Sequence, residues 1–278
     1  MRTAKGFDYH VPPNVLDHMG ALLPLAAPLL SENRLERLHH TIARRSRQVI
    51  CVFENTHHTH NISAVLRSTD AMGFQDVVFI YDQPNMVFKQ RDTVERGSAK
   101  WLTCKRVTHF DSFAAALKYS QDENEILVLC VTLPTFARTG DSLDRALPGF
   151  GCHEVTSLEF QRFVGQRKVI LVFGNEKYGI DARWLPLAQG FIYVPMNGFV
   201  ESLNLSVCAG ILLQSLRQWC DAPINTQNLS PGESQLLLES FLARSVDLLP
   251  RIIQMQQPHL EPYLRFCQKS NYFLSQVL

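Results

Sequence analysis

Residues 168–214 read KVILVFGNEKYGIDARWLPLAQGFIYVPMNGFVESLNLSVCAGILLQ, and the rest of the chain is organised around them. Two short apolar runs, Val169–Phe173 and Phe191–Val194, have the length and composition of buried strands. Each runs into a turn of small and polar residues. The first turn is Gly174-Asn175-Glu176-Lys177-Tyr178-Gly179. The second is Pro195-Met196-Asn197-Gly198, followed by Glu201-Ser202-Leu203-Asn204 and a run of small and apolar residues that predicts a helix from about Asn204 to Trp219. Strand ends with glycine turns beside a helix N-terminus form a crevice that can hold a ligand.

Upstream, Val49–Glu54 and Asp76–Tyr81 read as strands. Between them a helix capped by Asn61 runs to Met72, with Gly73 as its stop. Strand, helix and strand in about thirty residues make a parallel unit with a crossover. A long loop, 82–100, carries Lys89, Arg91, Arg96 and Lys100. Trp101–Val107 and Ile126–Thr132 read as strands around an alanine-rich helix at Asp111–Ser120. The stretch 134–165 hides a short helix near Leu158–Phe163. The pattern is that of an α/β fold with a parallel sheet.

The two ends read differently. Residues 1–30 are punctuated by prolines and show no period, so they are expected to be an irregular arm. Ser31 then caps a helix to about Ser46. Its apolar stripe is Leu35, Leu38 and Ile42, and its other faces carry Arg34, Arg37, His39, His40, Arg44 and Arg45. These basic residues are either a solvated face or a phosphate-contacting one. Ser230-Pro231-Gly232-Glu233 is a capping box that opens a C-terminal helix, interrupted at Pro250 and followed by a last helix from Tyr263. The expected organisation is an N-terminal arm and basic helix (1–47), an α/β domain (48–220) and a C-terminal helical extension (221–278).

Composition narrows the classes. The chain has 278 residues, enough for one large core with extensions. Net charge is +1, so a nucleic-acid partner has to be argued from a local patch. Seven scattered cysteines, none in a Cys-x-x-Cys pair, point to reduced thiols in the cytoplasm. The apolar run Met19–Leu30 contains Pro24 and Pro28 and is too short to span a bilayer, so no membrane partner is expected. The cluster His57-His58-Thr59-His60 lacks the spacing and the companions of a metal site, and no metal is expected.

Three groups could carry chemistry, and a fourth stretch concerns packing. Arg67, on the helix opened by Asn61, is either half of a surface pair with Asp70 or an arginine aimed at a phosphate or ribose. Glu176 is a solvated turn residue, or a carboxylate that organises the loop or accepts a proton. Ser202 and Asn204 either cap the last helix or bind a hydroxyl or carboxylate there. Cys208-Ala209-Gly210 leaves room for a second helix, from this chain or from a second copy.

In their order along the chain these residues form three blocks. The first is Glu54-Asn55-x-His57-x-x-His60-Asn61-x-Ser63-Ala64-x-Leu66-Arg67. The second is Leu171-x-Phe173-Gly174-Asn175-Glu176-Lys177-Tyr178-Gly179-Ile180. The third is Val194-Pro195-Met196-x-Gly198-x-Val200-x-Ser202-Leu203-Asn204-x-Ser206-Val207. From Ser31 to Trp219 the chain resembles the TrmH-type SPOUT RNA 2'-O-ribose methyltransferases. The basic helix and Gly97-Ser98-Ala99-Lys100-Trp101 look most like those acting on guanosine-18 in the D-loop of tRNA. The chain departs from them in a longer N-terminal arm, a longer segment at 138–168, Val94-Glu95-Arg96 ahead of Ser98, and an extended C-terminal region.

The resemblance implies a parallel-sheet SPOUT fold whose C-terminal part is threaded into a trefoil knot. It implies a homodimer with the active site near the interface, S-adenosylmethionine as methyl donor and RNA, above all tRNA, as substrate. Thr132, Gly174, Asn175, Val194, Met196, Gly198 and Leu203 would hold the cofactor, with the glycines allowing close approach. Arg34, Arg44, Arg45, Ser98 and Lys100 would meet RNA. Arg67 would be the catalytic arginine, surrounded by Asn61, Glu176, Ser202 and Asn204. An arginine side chain stays protonated, so anchoring the phosphate beside the target ribose suits Arg67 better than taking a proton. The alternatives are ribosomal RNA or another tRNA position as target, a non-catalytic RNA-binding protein on the same fold, and a metal-dependent hydrolase built on the histidines.

Overall fold

In the computed structural model, which describes residues 17–56, 58–82, 98–122, 126–132, 151–165, 167–220 and 229–268, seven strands form one sheet. They are β1 (Ser46–Glu54), β2 (Phe74–Ile80), β3 (Thr103–Val107), β4 (Ile126–Val131), β5 (Gly151–Glu154), β6 (Lys168–Phe173) and β7 (Gly190–Tyr193). The order is β3-β2-β1-β6-β4-β7-β5, and every pairing is parallel. The central strands are apolar at nearly every position because both faces of the sheet are covered. Val169 to Phe173 are all buried, and Phe53 of β1 stacks on Phe173 of β6 with ring centroids 4.9 Å apart.

On one face lie α3 (Thr59–Ala71), α5 (Leu158–Val164) and α6 (Leu205–Cys220), contributing Ile62, Val65, Phe160, Leu212 and Leu216 to a common core. On the other lie α4 (Phe110–Asp122) and the short turn Ala182–Trp184, with Phe113, Leu117 and Trp184 packed together. The α3 helix ends at Gly73, whose φ of +75° is open to glycine without strain. Its carbonyl accepts the Ser46 N–H at 2.9 Å, and a Cβ there would lie 2.9 Å from the Arg44 carbonyl oxygen. Small residues on α6 are used inside the chain: the nearest neighbour of a side chain at Gly210 would be Ser68 Oγ of α3, at 3.9 Å.

A third core joins the two ends of the chain. It is built from α1 (Leu22–Ala26), α2 (Glu32–Ala43), α7 (Pro231–Ser245), α8 (Leu249–Gln256) and α9 (Glu261–Gln268). At its centre the fully buried Glu239 accepts the N–H groups of Gly20 (2.9 Å), Leu22 (2.7 Å) and Leu23 (3.4 Å), together with the Tyr263 hydroxyl. This unit also grips the sheet edge. Arg244 donates to the Lys100 carbonyl at 2.5 Å, and the Trp101 ring meets Phe241 edge-on at 5.1 Å. The Ser230 capping box forms as expected, and Pro250 falls in the first turn of α8, where its missing N–H costs nothing.

Several expectations need correction. Residues 22–26 are helical, because Pro24 sits within the first turn and tolerates helix there. The β5 strand was not foreseen, since Gly-Cys-His-Glu has neither alternation nor an apolar run. The α3 helix starts at Thr59 after His58, so Asn61 is inside its first turn and does not cap it. Expectations for residues 1–16, His57, Lys89, Arg91, 94–96, the 138–150 part of the 138–168 segment and the tail from 269 lie outside the described residues.

Candidate functional site

The three sequence blocks meet at one end of the sheet, where β1, β4, β6 and β7 release their loops. Asn61 sits on the first turn of α3. Its Nδ2 donates to Glu176 Oε1 at 3.3 Å, and its Oδ1 accepts from Asn204 Nδ2 at 3.1 Å. The His58 N–H also donates to Glu176, at 3.3 Å. Asn204 caps α6 through Oδ1, which accepts from the Ser206 N–H at 2.9 Å and its hydroxyl at 2.7 Å. Residues 115 and 143 positions apart are thus drawn into one exposed polar cluster.

That cluster stands at the edge of a cleft of about 750 Å³. Its walls include the apolar Val131, Phe173, Phe191 and Leu203, and its polar lining includes Asn61, Thr132, Asn175, Glu176, Ser202 and Asn204. Size and lining are those of a small-molecule site with few placed polar groups. Cys208 also lines it, but burial pushes its thiol up to about 11, which leaves it protonated at neutral pH.

The cleft floor is the turn 174–179. Asn175 and Gly179 bond to each other through both backbone groups at 2.9 Å. Asn175 Oδ1 accepts from the N–H groups of Lys177 (2.8 Å) and Tyr178 (3.1 Å), and Asn175 Nδ2 donates to the Asn55 carbonyl at 2.7 Å. Gly174 is required by this closure: a Cβ there would lie 2.2 Å from the Gly179 carbonyl oxygen. The expectation that close approach of a ligand demands the glycine is therefore unnecessary at this position. At Gly198 a Cβ would meet nothing within 4 Å among the described residues, so none of them explains it.

Of the residues expected to hold a cofactor, Thr132, Gly174, Asn175 and Leu203 line the cleft, whereas Val194, Met196 and Gly198 do not. Arg67 is exposed and has no hydrogen-bond or ion-pair partner among the described residues. It stands ~9 Å farther along the α3 axis than Asn61 and does not line the cleft. The surface pair with Asp70 is not made. Asp70 instead binds Arg45, which is only 1% exposed and also donates to the Phe74 carbonyl at 3.0 Å. Arg45 is consequently withdrawn from any RNA-contacting surface, while Arg34, Arg37 and Arg44 remain exposed. Lys100 lies with Nζ 4.6 Å above the Trp101 ring. Ser98 opens the short turn Ser98–Trp101.

Sequence reasoning missed two contributors. Asn55 has φ +47°, a left-handed conformation that asparagine tolerates, and its backbone carbonyl is the anchor for Asn175. Arg183, an unremarked turn residue in the sequence, bonds both Glu54 and Asp82. Its guanidinium holds the Asp82 carboxyl below the usual range, whereas burial raises that of Glu54 despite the same partner. Among the described residues no group of three or more His, Cys, Asp or Glu side chains is placed to hold a metal, and no helix is long and apolar enough to cross a membrane.

Comparison with known proteins gives a consistent picture. A model of the SpoU rRNA Methylase family matches residues 48–214. The tRNA (guanosine(18)-2'-O)-methyltransferase of Thermus thermophilus is 28% identical over 216 residues, covering 77% of this chain and 98% of that protein. Its Aquifex aeolicus counterpart is 25% identical over 220 residues, 78% of this chain and 92% of that one. Among solved structures, an A. aeolicus TrmH/SpoU tRNA modifying enzyme superposes with a TM-score of 0.57 at 23% identity, over 76% of this chain and 95% of that one.

Proposed function

The chain belongs to the SpoU rRNA Methylase family, and from that premise we propose that it methylates a ribose 2'-hydroxyl of tRNA, at the guanosine of position 18, using S-adenosylmethionine. The observation that carries this reading is the meeting of Asn61, Glu176 and Asn204 beside a cleft of suitable size. The relatives named for guanosine-18 methylation support the choice of target. Family membership also implies the trefoil threading of the C-terminal part.

The residues fit the cofactor. Apolar walls suit an adenine and a thioether chain, and Thr132, Asn175 and Leu203 bring backbone and side-chain groups to the lining. When bound, the cofactor supplies an activated sulfonium methyl. The protein then needs mainly to position the ribose and help a proton leave. Arg67, exposed and unpartnered among the described residues, anchors the phosphate next to the target ribose. Asn61 and Asn204 orient the sugar, Ser202 adds a hydroxyl at the rim, and Glu176 holds Asn61 in place. Arg34, Arg44, Ser98 and Lys100 guide the RNA in this reading.

We take the working form to be a cytoplasmic homodimer, supported by exposed apolar residues on and just ahead of α6: Phe199, Val200, Val207 and Ile211. The domain boundaries at 47 and 220 stand as proposals, with the two ends forming one helical unit. Incubation with labelled S-adenosylmethionine and total RNA, followed by mapping of the methylated ribose, tests the function. Label at tRNA guanosine 18 supports it. Label confined to ribosomal RNA or another tRNA position overturns the target, and absence of transfer with cofactor and both RNAs overturns the activity.

A further inference from the structure

Beside the cleft, a dense polar arrangement is built on Arg183. Its Nη2 lies 2.6 Å from Glu54 Oε1 and 2.9 Å from Asp82 Oδ1, Nε reaches Glu54 Oε1 at 3.0 Å, and Nη1 pairs with Asp82 Oδ2. The guanidinium also sits 4.2 Å over the Phe110 ring, and Asp181 is 3.7 Å from Nε. Four donors and two carboxylates in this geometry make a rigid fork. The fork joins the end of β1, where Glu54 pairs with Ile80, to the residues after β2 and to the connection from β6 to β7, which no strand pairing ties to them.

From the fork a continuous set of bonds leads to the cleft floor. Asp82 Oδ1 also accepts from Asn55 Nδ2 at 3.2 Å. Asn55 is held in its left-handed conformation, and its carbonyl carries Asn175. Asn175 in turn orders the Lys177 and Tyr178 amides and the turn bearing Glu176. Ala182 and Leu185, on either side of Arg183, line the cleft themselves.

We propose that Arg183 is a positioning residue for methyl transfer: by clamping Glu54 and Asp82 it fixes Asn55, and through Asn55 and Asn175 it sets the turn that floors the cofactor cleft. The proposal rests on the methyl-transfer reading above. It assigns to Arg183 an effect chiefly on cofactor binding and no contact with the reacting atoms.

The test compares Arg183→Ala, Arg183→Lys and Glu54→Gln with the unaltered full-length chain. Hydrogen exchange at single amides is measured, together with kcat and KM for S-adenosylmethionine and for tRNA. In Arg183→Ala the Lys177 and Tyr178 amides should exchange ~10-fold faster, as for a locally released segment. The KM for S-adenosylmethionine should rise ~10-fold with a smaller fall in kcat, because the released turn also carries Glu176, and with little change in the KM for tRNA. Arg183→Lys should recover only part of this, because an ammonium cannot grip two carboxylates at once. Glu54→Gln should show the same pattern at smaller size, and it carries the test if Arg183→Ala does not fold. Unchanged exchange at residues 177 and 178 overturns the proposal, as does faster exchange spread evenly through the sheet. If the unaltered chain takes up no S-adenosylmethionine, the methyl-transfer reading fails, while the exchange data still decide whether Arg183 holds the turn.

Discussion

The rim of the cleft and the helical unit made by the chain ends use the same kinds of residue in opposite ways. At the rim, Asn61, Glu176 and Asn204 are exposed or half-exposed and bond to one another at 3.1–3.3 Å, where solvent and a ligand can reach them. In the helical unit, Glu239 is fully buried and takes bonds from three backbone N–H groups and the Tyr263 hydroxyl. Polar groups that lie open at a surface are available to a ligand. Those saturated in a dry interior hold elements together and are costly to disturb.

The largest effect expected from this contrast is on catalysis. Arg67→Ala should lower single-turnover transfer by ~10³-fold, the size of losing one placed charge at a reacting centre. Cofactor affinity and melting temperature should stay near those of the unaltered protein, since Arg67 bonds nothing among the described residues. Equal losses of affinity and rate in parallel titrations would argue that Arg67 shapes the cleft instead.

The buried counterpart should behave in reverse. Glu239→Ala leaves several backbone N–H groups without an acceptor and opens a cavity, costing ~3 kcal/mol or more in denaturant unfolding. Glu239→Gln keeps the size and one acceptor oxygen, so its cost should be nearer ~1–2 kcal/mol. Transfer per folded molecule should remain close to normal in both. A large drop in kcat at unchanged stability would mean that the helical unit takes part in positioning RNA.

A smaller effect separates the rim residues from each other. Asn61→Ala should change stability by no more than ~0.5 kcal/mol, as exposed polar residues do, and Asn204→Ala, which removes the cap of α6, by ~1 kcal/mol. Their effects on transfer should be non-additive, because one amide donates to the other at 3.1 Å. Strictly additive losses in a double-mutant cycle would place the two asparagines on different parts of the substrate.

How much of this the sequence revealed depended on distance along the chain. The strands were legible because Val169–Phe173 and its neighbours carry the unbroken apolar pattern of a sheet covered on both faces. The second and third blocks announced the cleft, since the turns after β6 and β7 are local features. Asn61 was misplaced as a cap because asparagine favours that position and nothing nearby shows a carboxylate 115 residues away waiting for its amide. Arg44 and Arg45 are adjacent in a basic run, yet one is exposed and the other is buried against Asp70. A charge pattern cannot distinguish them, because the helix end fixes which one faces the β1–β2 edge. Arg183 gave no signal at all: its partners come from β1 and from the residues following β2, brought together only by the sheet.

The smallest effect lies in the pH dependence of the Arg183 fork, where two carboxylates on one guanidinium should pull stability in opposite directions. Asp82 has its pKa lowered in the folded chain, chiefly by the hydrogen bond from Arg183. It therefore contributes stability that is present above the ordinary aspartate value of ~3.9 and is lost as pH falls through the lowered folded value. Glu54 has its pKa raised, chiefly by burial. Its contribution is full below the ordinary glutamate value of ~4.3 and is lost as pH rises through the raised folded value. Asp82→Asn should accordingly flatten the acid limb of a stability–pH curve below ~4, and Glu54→Gln should flatten the decline above it. The two differences from the unaltered protein should have opposite slopes. Parallel slopes would mean that Arg183 compensates Glu54 for its burial, and that the fork behaves as one ion pair with a single sign.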